Sequence, residues 1–144
     1  MFGIFPSGKP IKENGEMVVP SLIIIGDFTE PLYIPIPYWS LEDYKRNWII
    51  SLSQGIESKT HSALAVSMYD PNFTNFIITW VIYFYDEAAY VQNKILFLDE
   101  CPGFTPETIN NFINERETHN EDGLKVSEWV TDLNSVTTFL ASLR

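Results

Sequence analysis

The chain has 144 residues, 45% hydrophobic and 15% aromatic, and carries 19 acidic against 9 basic side chains for a net charge of −10. That length suits a single domain over residues 1–144 with a core of its own, and the apolar fraction excludes a disordered polypeptide. The charge repels a phosphate backbone and so excludes direct nucleic-acid binding, while one cysteine, Cys101, excludes an internal disulfide framework and suits a reducing compartment.

The N-terminal segment Met1-Phe2-Gly3-Ile4-Phe5-Pro6 has no basic region followed by an apolar run, as a secretory leader would. Met17 to Ile25 is rich in Val, Leu and Ile and reads as a strand. In Pro31-Leu32-Tyr33-Ile34-Pro35-Ile36-Pro37 every proline holds an odd position. Alternate residues of a strand point their N–H groups to the same side, so these prolines remove donors from one side only and predict an edge strand. Leu32, Ile34 and Ile36 keep their donors for the other side.

A helix is predicted next. Ser40 and Asp43 have capping-box spacing, and Leu41, Tyr44, Trp48, Leu52 and Ile56 make one apolar face, with Gly55 near the expected stop. Three strands follow. His61 to Tyr69 ends on the turn signal Asp70-Pro71. Phe76 to Tyr85 is apolar on both alternations and reads as a central strand covered on both faces. Tyr90 to Leu98 returns as a hairpin. The longest apolar stretch, Phe76 to Tyr85, is half the roughly 20 residues that a membrane helix needs.

Thr105-Pro106 opens a second predicted helix with Ile109, Phe112 and Ile113 inward. Thr118 to Gly123 is a polar loop, Lys125 to Val130 a short strand, and Asp132 caps a last helix whose inner face is Leu133, Val136, Leu140 and Leu143. The order β-β-α-β-β-β-α-β-α predicts an α+β fold: a mainly antiparallel sheet of five to six strands packed with three helices.

The catalytic inventory is thin. His61 and His119 are the only histidines, and no HExxH or His/Cys cluster offers a zinc site, so neither a metal nor a cofactor is expected. Asp99 and Glu100 beside Cys101 disfavour its thiolate. No GxSxG elbow is present. Adjacent acids such as Glu42/Asp43 and Asp86/Glu87 are common in a chain this acidic and single out no acid–base pair. The acids do concentrate late in the chain: Asp99, Glu100, Glu107, Glu115, Glu117, Glu121 and Asp122 are opposed only by Arg116 in that stretch. On one face they would form a negative patch that complements a cationic cleft; the commoner role for such a run is a solvated surface.

Tyr38-Trp39 with Tyr44 and Trp48, Thr60-His61-Ser62-Ala63-Leu64-Ala65-Val66-Ser67-Met68, Asn75-Phe76 through Thr79-Trp80 and Tyr90-Val91-Gln92-Asn93 form an ordered series, completed by Arg116, Asp122-Gly123 and Ser127-Glu128-Trp129. In order and spacing this series, which spans nearly the whole chain, resembles the immunity proteins of contact-dependent growth inhibition (CDI) systems in Gram-negative bacteria, the CdiI family. The resemblance implies a small cytoplasmic protein, not an enzyme. Such a protein binds the C-terminal toxin domain of a CdiA delivery protein and blocks its active site. It implies a basic toxin partner, expected to be a ribonuclease, with no membrane contact. Trp80 and Val91-Gln92-Asn93 read as structural. Glu115, Glu117, His119, Glu121, Asp122 and Glu128 are the expected partner-binding residues, with Trp129 as an anchor. Two other readings stay open: a carboxylate-dependent enzyme or small-molecule binder with an aromatic-lined pocket, and a homo-oligomeric scaffold built on the proline-edged strand.

Overall fold

The computed structural model describes residues Met1 to Arg144. The chain forms β1 (Phe2–Pro6), β2 (Ile11–Glu13), β3 (Glu16–Ile25) and β4 (Phe28–Pro35), then helix α1 (Leu41–Ser58). β5 (His61–Ser67), β6 (Phe76–Tyr85) and β7 (Ala88–Phe97) follow, then 3-10 segments at Leu98–Glu100 and Pro106–Phe112, and finally β8 (Trp129–Asp132) and helix α2 (Leu133–Leu143). The α+β class and the antiparallel pairing are as the sequence predicts. The strands, however, are divided between two four-stranded sheets rather than gathered in one of five to six.

In the first sheet β3 pairs with β4 on one side and with β1 and β2 in turn on the other. The Ile36 N–H donates to the Met17 carbonyl at 3.1 Å, so even-numbered residues of β4 face β3 and Pro31, Tyr33 and Pro35 face outward. The proline spacing therefore marks an edge, as expected. β1 is an addition to the predicted elements: the segment without leader character is a strand, with Phe2 and Ile4 buried.

The second sheet runs β5-β6-β7-β8. β6 is an inner strand, buried from Ile77 to Phe84 except at half-buried Ile78. Phe84 donates to the Thr60 carbonyl at 2.9 Å, which turns the even residues of β5 toward β6 and the odd ones outward. Side chains close that outward edge. Asn47 Oδ1 accepts the Ala65 N–H at 3.0 Å, Asn110 Oδ1 accepts the Ala63 N–H at 2.8 Å, and Trp48 Nε1 donates to the Ala65 carbonyl at 2.8 Å. Helix α1 thus lies against the edge of the sheet.

α1 begins with the predicted box, Ser40 accepting from the Asp43 N–H and Asp43 from the Ser40 N–H. It ends at Lys59, which is left-handed with φ +58°. Gly55 is not the stop. It is buried inside the helix where α1 meets β5, and a Cβ there would lie 2.2 Å from the His61 carbonyl oxygen. The second predicted helix is a 3-10 segment. Thr105 and Thr108 cap it reciprocally, while Asn110 turns its amide to Ser51 and Ala63 and its carbonyl to His61 Nε2 at 2.8 Å. Those tertiary bonds compete with an α-helical ladder. The strand expected at Lys125–Val130 starts later, at Trp129, because Val126 bonds back to the Thr118 carbonyl.

Tyr44 links the two sheets: its hydroxyl donates to the Pro35 carbonyl at 2.6 Å and accepts the Met68 N–H at 2.9 Å. α2, capped by Asp132 as predicted, carries Phe139 edge-on to Phe2 at 5.6 Å. Gly55→Ala is expected to destabilise the protein by about 1–3 kcal/mol, because overpacking against backbone outweighs alanine's helix preference of about 1 kcal/mol. Urea unfolding measures this, and unchanged or raised stability would show that α1 and β5 separate without cost.

Candidate toxin-facing site

The acidic stretch leaves the 3-10 segment at Ile113 and crosses the face of the second sheet that carries Tyr83, Tyr85, Tyr90 and Gln92. Gln92 is fully buried and donates to the Glu117 carbonyl at 3.0 Å and to Glu128 Oε2 at 2.7 Å. Tyr83, whose hydroxyl donates to the Asn114 carbonyl at 3.2 Å, has its pKa pushed up to about 12 by burial.

Beyond Glu117 the chain makes a tight hairpin. Val126 donates to the Thr118 carbonyl at 2.9 Å, and His119 bridges to Lys125. Gly123 donates to the Asn120 carbonyl at 3.0 Å, so Glu121 and Asp122 are the two central residues of the turn. Asn120 Oδ1 accepts the N–H groups of Asp122 and Leu124, each at 3.0 Å, and Gly123 takes φ +77°, a conformation that glycine enters without strain. The segment expected to be a polar loop is therefore braced by its own side chains.

The structure places Glu115, Glu117, His119, Glu121 and Asp122 exposed on this one segment. Glu128 and Trp129 sit differently. Arg116 clamps Glu128 through Nε at 2.8 Å and Nη2 at 2.6 Å, the one ion pair within 4 Å in the molecule. The guanidinium lies 3.9 Å from the Tyr90 ring centroid and 5.4 Å from that of Tyr85. Hydrogen bonding to Arg116 holds the Glu128 carboxyl below the usual carboxylate range, and the same bond raises the Arg116 pKa. Trp129 is half-buried, stacked on Phe28 at 4.4 Å and 5.6 Å from Trp80. Glu128 and Trp129 thus fix the base of the hairpin.

Gln92 and Arg116, which hold the segment in place, stood apart from the expected site residues. Arg116 as the lone cation of the stretch was the available signal, but its partner is distant in sequence and follows no helical or strand period. Cys101 is buried, and burial, ahead of Glu100 and Asp99, raises its pKa. No cluster of three or more His, Cys, Asp or Glu side chains is placed to hold a metal ion, and no helix is long and apolar enough to cross a membrane.

Arg116→Ala is expected to cost about 1.5–3 kcal/mol, the range for a hydrogen bond to a charged group. Because the folded Glu128 pKa is depressed, the pair's contribution is complete above the unfolded value of about 4.3 and is lost as pH falls through the lower folded value. The gap in Tm between wild type and Arg116→Ala is therefore wide at pH 7 and narrows below about pH 4. A gap independent of pH would mean that the ion pair is not its source.

Comparison with known proteins places this geometry in a family. A family model described as the CdiI N-terminal domain matches residues 34–139. The immunity protein CdiI of Enterobacter cloacae subsp. cloacae is 59% identical over 143 residues, covering 99% of each chain. A solved CdiA-CT/CdiI toxin and immunity complex from Enterobacter cloacae contains a chain with the same fold, at TM-score 0.94 and 59% identity over 99% of this chain and 98% of that one. With that likeness running through both sheets and both α-helices, the chain belongs to the CdiI family of immunity proteins.

Proposed function

We propose that this chain binds the C-terminal toxin domain of a CdiA protein and neutralises it in the cytoplasm by occluding its active site. The toxin is a ribonuclease, and the exposed acids at Glu115, Glu117, Glu121 and Asp122, with His119 among them, cover its cationic cleft and exclude RNA. Glu128 and Trp129 hold that surface in position. The observation that carries this reading is the state of the charge: of 19 acidic side chains, only Glu128 has an ion-pair partner. Unneutralised carboxylates on a braced hairpin steer a basic partner and pair with it at little ordering cost.

A carboxylate-dependent enzyme with an aromatic-lined pocket is the second reading, and its general acid would be a carboxyl easier to protonate than usual. The clear carboxyl shifts, at Glu128 and Asp132, are both downward, caused by Arg116 and by the Ser135 N–H respectively.

Co-expression with the C-terminal domain of a cognate CdiA protein is expected to restore growth and to yield a co-purifying complex. Glu121→Lys combined with Asp122→Lys should slow association and flatten its dependence on salt, with coupling losses of about 1.5–7 kcal/mol for each close charge pair removed. Stopped-flow association between 50 and 500 mM salt (on the order of a threefold change in Debye length) reads both effects. Unaltered rates would remove the hairpin from the interface, and turnover by the isolated chain would overturn the non-enzymatic assignment.

A further inference from the structure

The strand edges of this protein are not all treated alike. β4 carries proline at two of its outward positions, and the outward groups of β5 are bonded by Asn47, Trp48 and Asn110. Either device prevents another strand from adding.

The far half of β7 has neither. Leu98 donates to the Asn75 carbonyl at 2.8 Å, so the even residues of β7 bond β6; Leu133 donates to the Glu87 carbonyl at 2.9 Å, so the odd residues face β8. β8 is only four residues long and its pairing stops at Val91. The outward N–H and C=O groups of Asn93, Ile95 and Phe97 therefore continue the edge with no strand beside them.

Their surroundings fit an incoming chain. Ile95 is 53% and Phe97 46% exposed, and Phe76, directly opposite Phe97, is 37% exposed. A cleft of about 450 Å³ runs beside Ile95 and Phe97, walled by Asn111 to Asn114, the residues that lead into the acidic segment. A second, of about 400 Å³, lies at Asn93 beside Val126 and Ser127. Glu100 lines the first and Glu30 the second, and neither has an ion-pair partner.

We propose that the β7 edge from Asn93 to Phe97 receives an extended strand of the toxin partner, one that alternates apolar with cationic side chains. Backbone bonds to Asn93, Ile95 and Phe97 supply the pairing, and Ile95, Phe97 and Phe76 receive the apolar side chains. Glu30, Glu100 and the adjacent hairpin meet the cations. A second copy is disfavoured as occupant, because pairing β7 with itself brings together two chains of net charge −10. The proposal rests on the toxin-binding reading and adds the form of the partner.

The test uses the full chain and the C-terminal domain of a cognate CdiA protein. Amide exchange followed by NMR should slow at least about tenfold at Ile95 and Phe97 on complex formation, while Lys94 and Leu96, bonded to β6 throughout, stay slow in both states. Ile95→Pro removes an outward donor without breaking the β6 ladder and should weaken binding at least about tenfold, as should Ile95→Lys, which blunts the edge should the proline variant fail to fold. Wild-type affinity in folded Ile95 variants, with the toxin still bound, would overturn the edge alone. A toxin that binds no variant, wild type included, would overturn this inference together with the function beneath it. A dimer of the free chain that Ile95→Pro dissolves would reassign the edge to self-association.

Discussion

The satisfied edge of β5 is the constraint on which the rest of the structure depends. A strand buried at the side of a sheet has peptide groups that need partners, and leaving one without costs about 1–3 kcal/mol. Here amide and indole side chains replace a neighbouring strand: Asn47 and Trp48 from α1, Asn110 from the 3-10 segment. Each partner fixes an element. α1 must lie close enough that only glycine fits at position 55, and the segment after β7 must return across the sheet to bring Asn110 to Ala63. That return path delivers Glu115 to Asp122 to the sheet's outer face.

The electrostatics follow a similar division between what is anchored and what is left free. Arg116 lies over Tyr90 and grips Glu128, while Gln92 bonds both Glu128 and the Glu117 backbone. Together these groups tie the two ends of the hairpin to the sheet, and the acids between remain in solvent. A flexible acidic loop would lose ordering entropy on meeting a partner; a hairpin held by Asn120, Gly123 and the Arg116 clamp has already lost it on folding. The family membership gives this arrangement its setting, since the related CdiI chain is solved in complex with a CdiA-CT toxin, and carboxylates held unpaired on a fixed surface complement a cationic one.

Much of the architecture was legible in the residues. The capping box of α1, the proline alternation of β4, the two-faced apolar run of β6 and the inner face of α2 are local signals, because caps, missing N–H groups and side-chain periods act within a few residues of their own position. The ordered series from Tyr38 to Trp129 pointed to the CDI immunity proteins, and the family match agrees with it. The acidic stretch was legible as charge, though not as a hairpin. The division into two sheets, the strand at Phe2–Pro6 and the 3-10 form of Pro106–Phe112 were not legible, because each depends on partners far along the chain.

The sequence by itself determined helices α1 and α2, the strands from β3 to β7, the strongly negative charge and the family, since composition, periodicity and residue order contain them directly. Tertiary structure decided which acids remain free, which one is held by Arg116, and which strand edges are closed or open. Those outcomes turn on pairings between residues tens of positions apart, such as Asn110 with Ala63 and Gln92 with Glu128, and no local pattern specifies them.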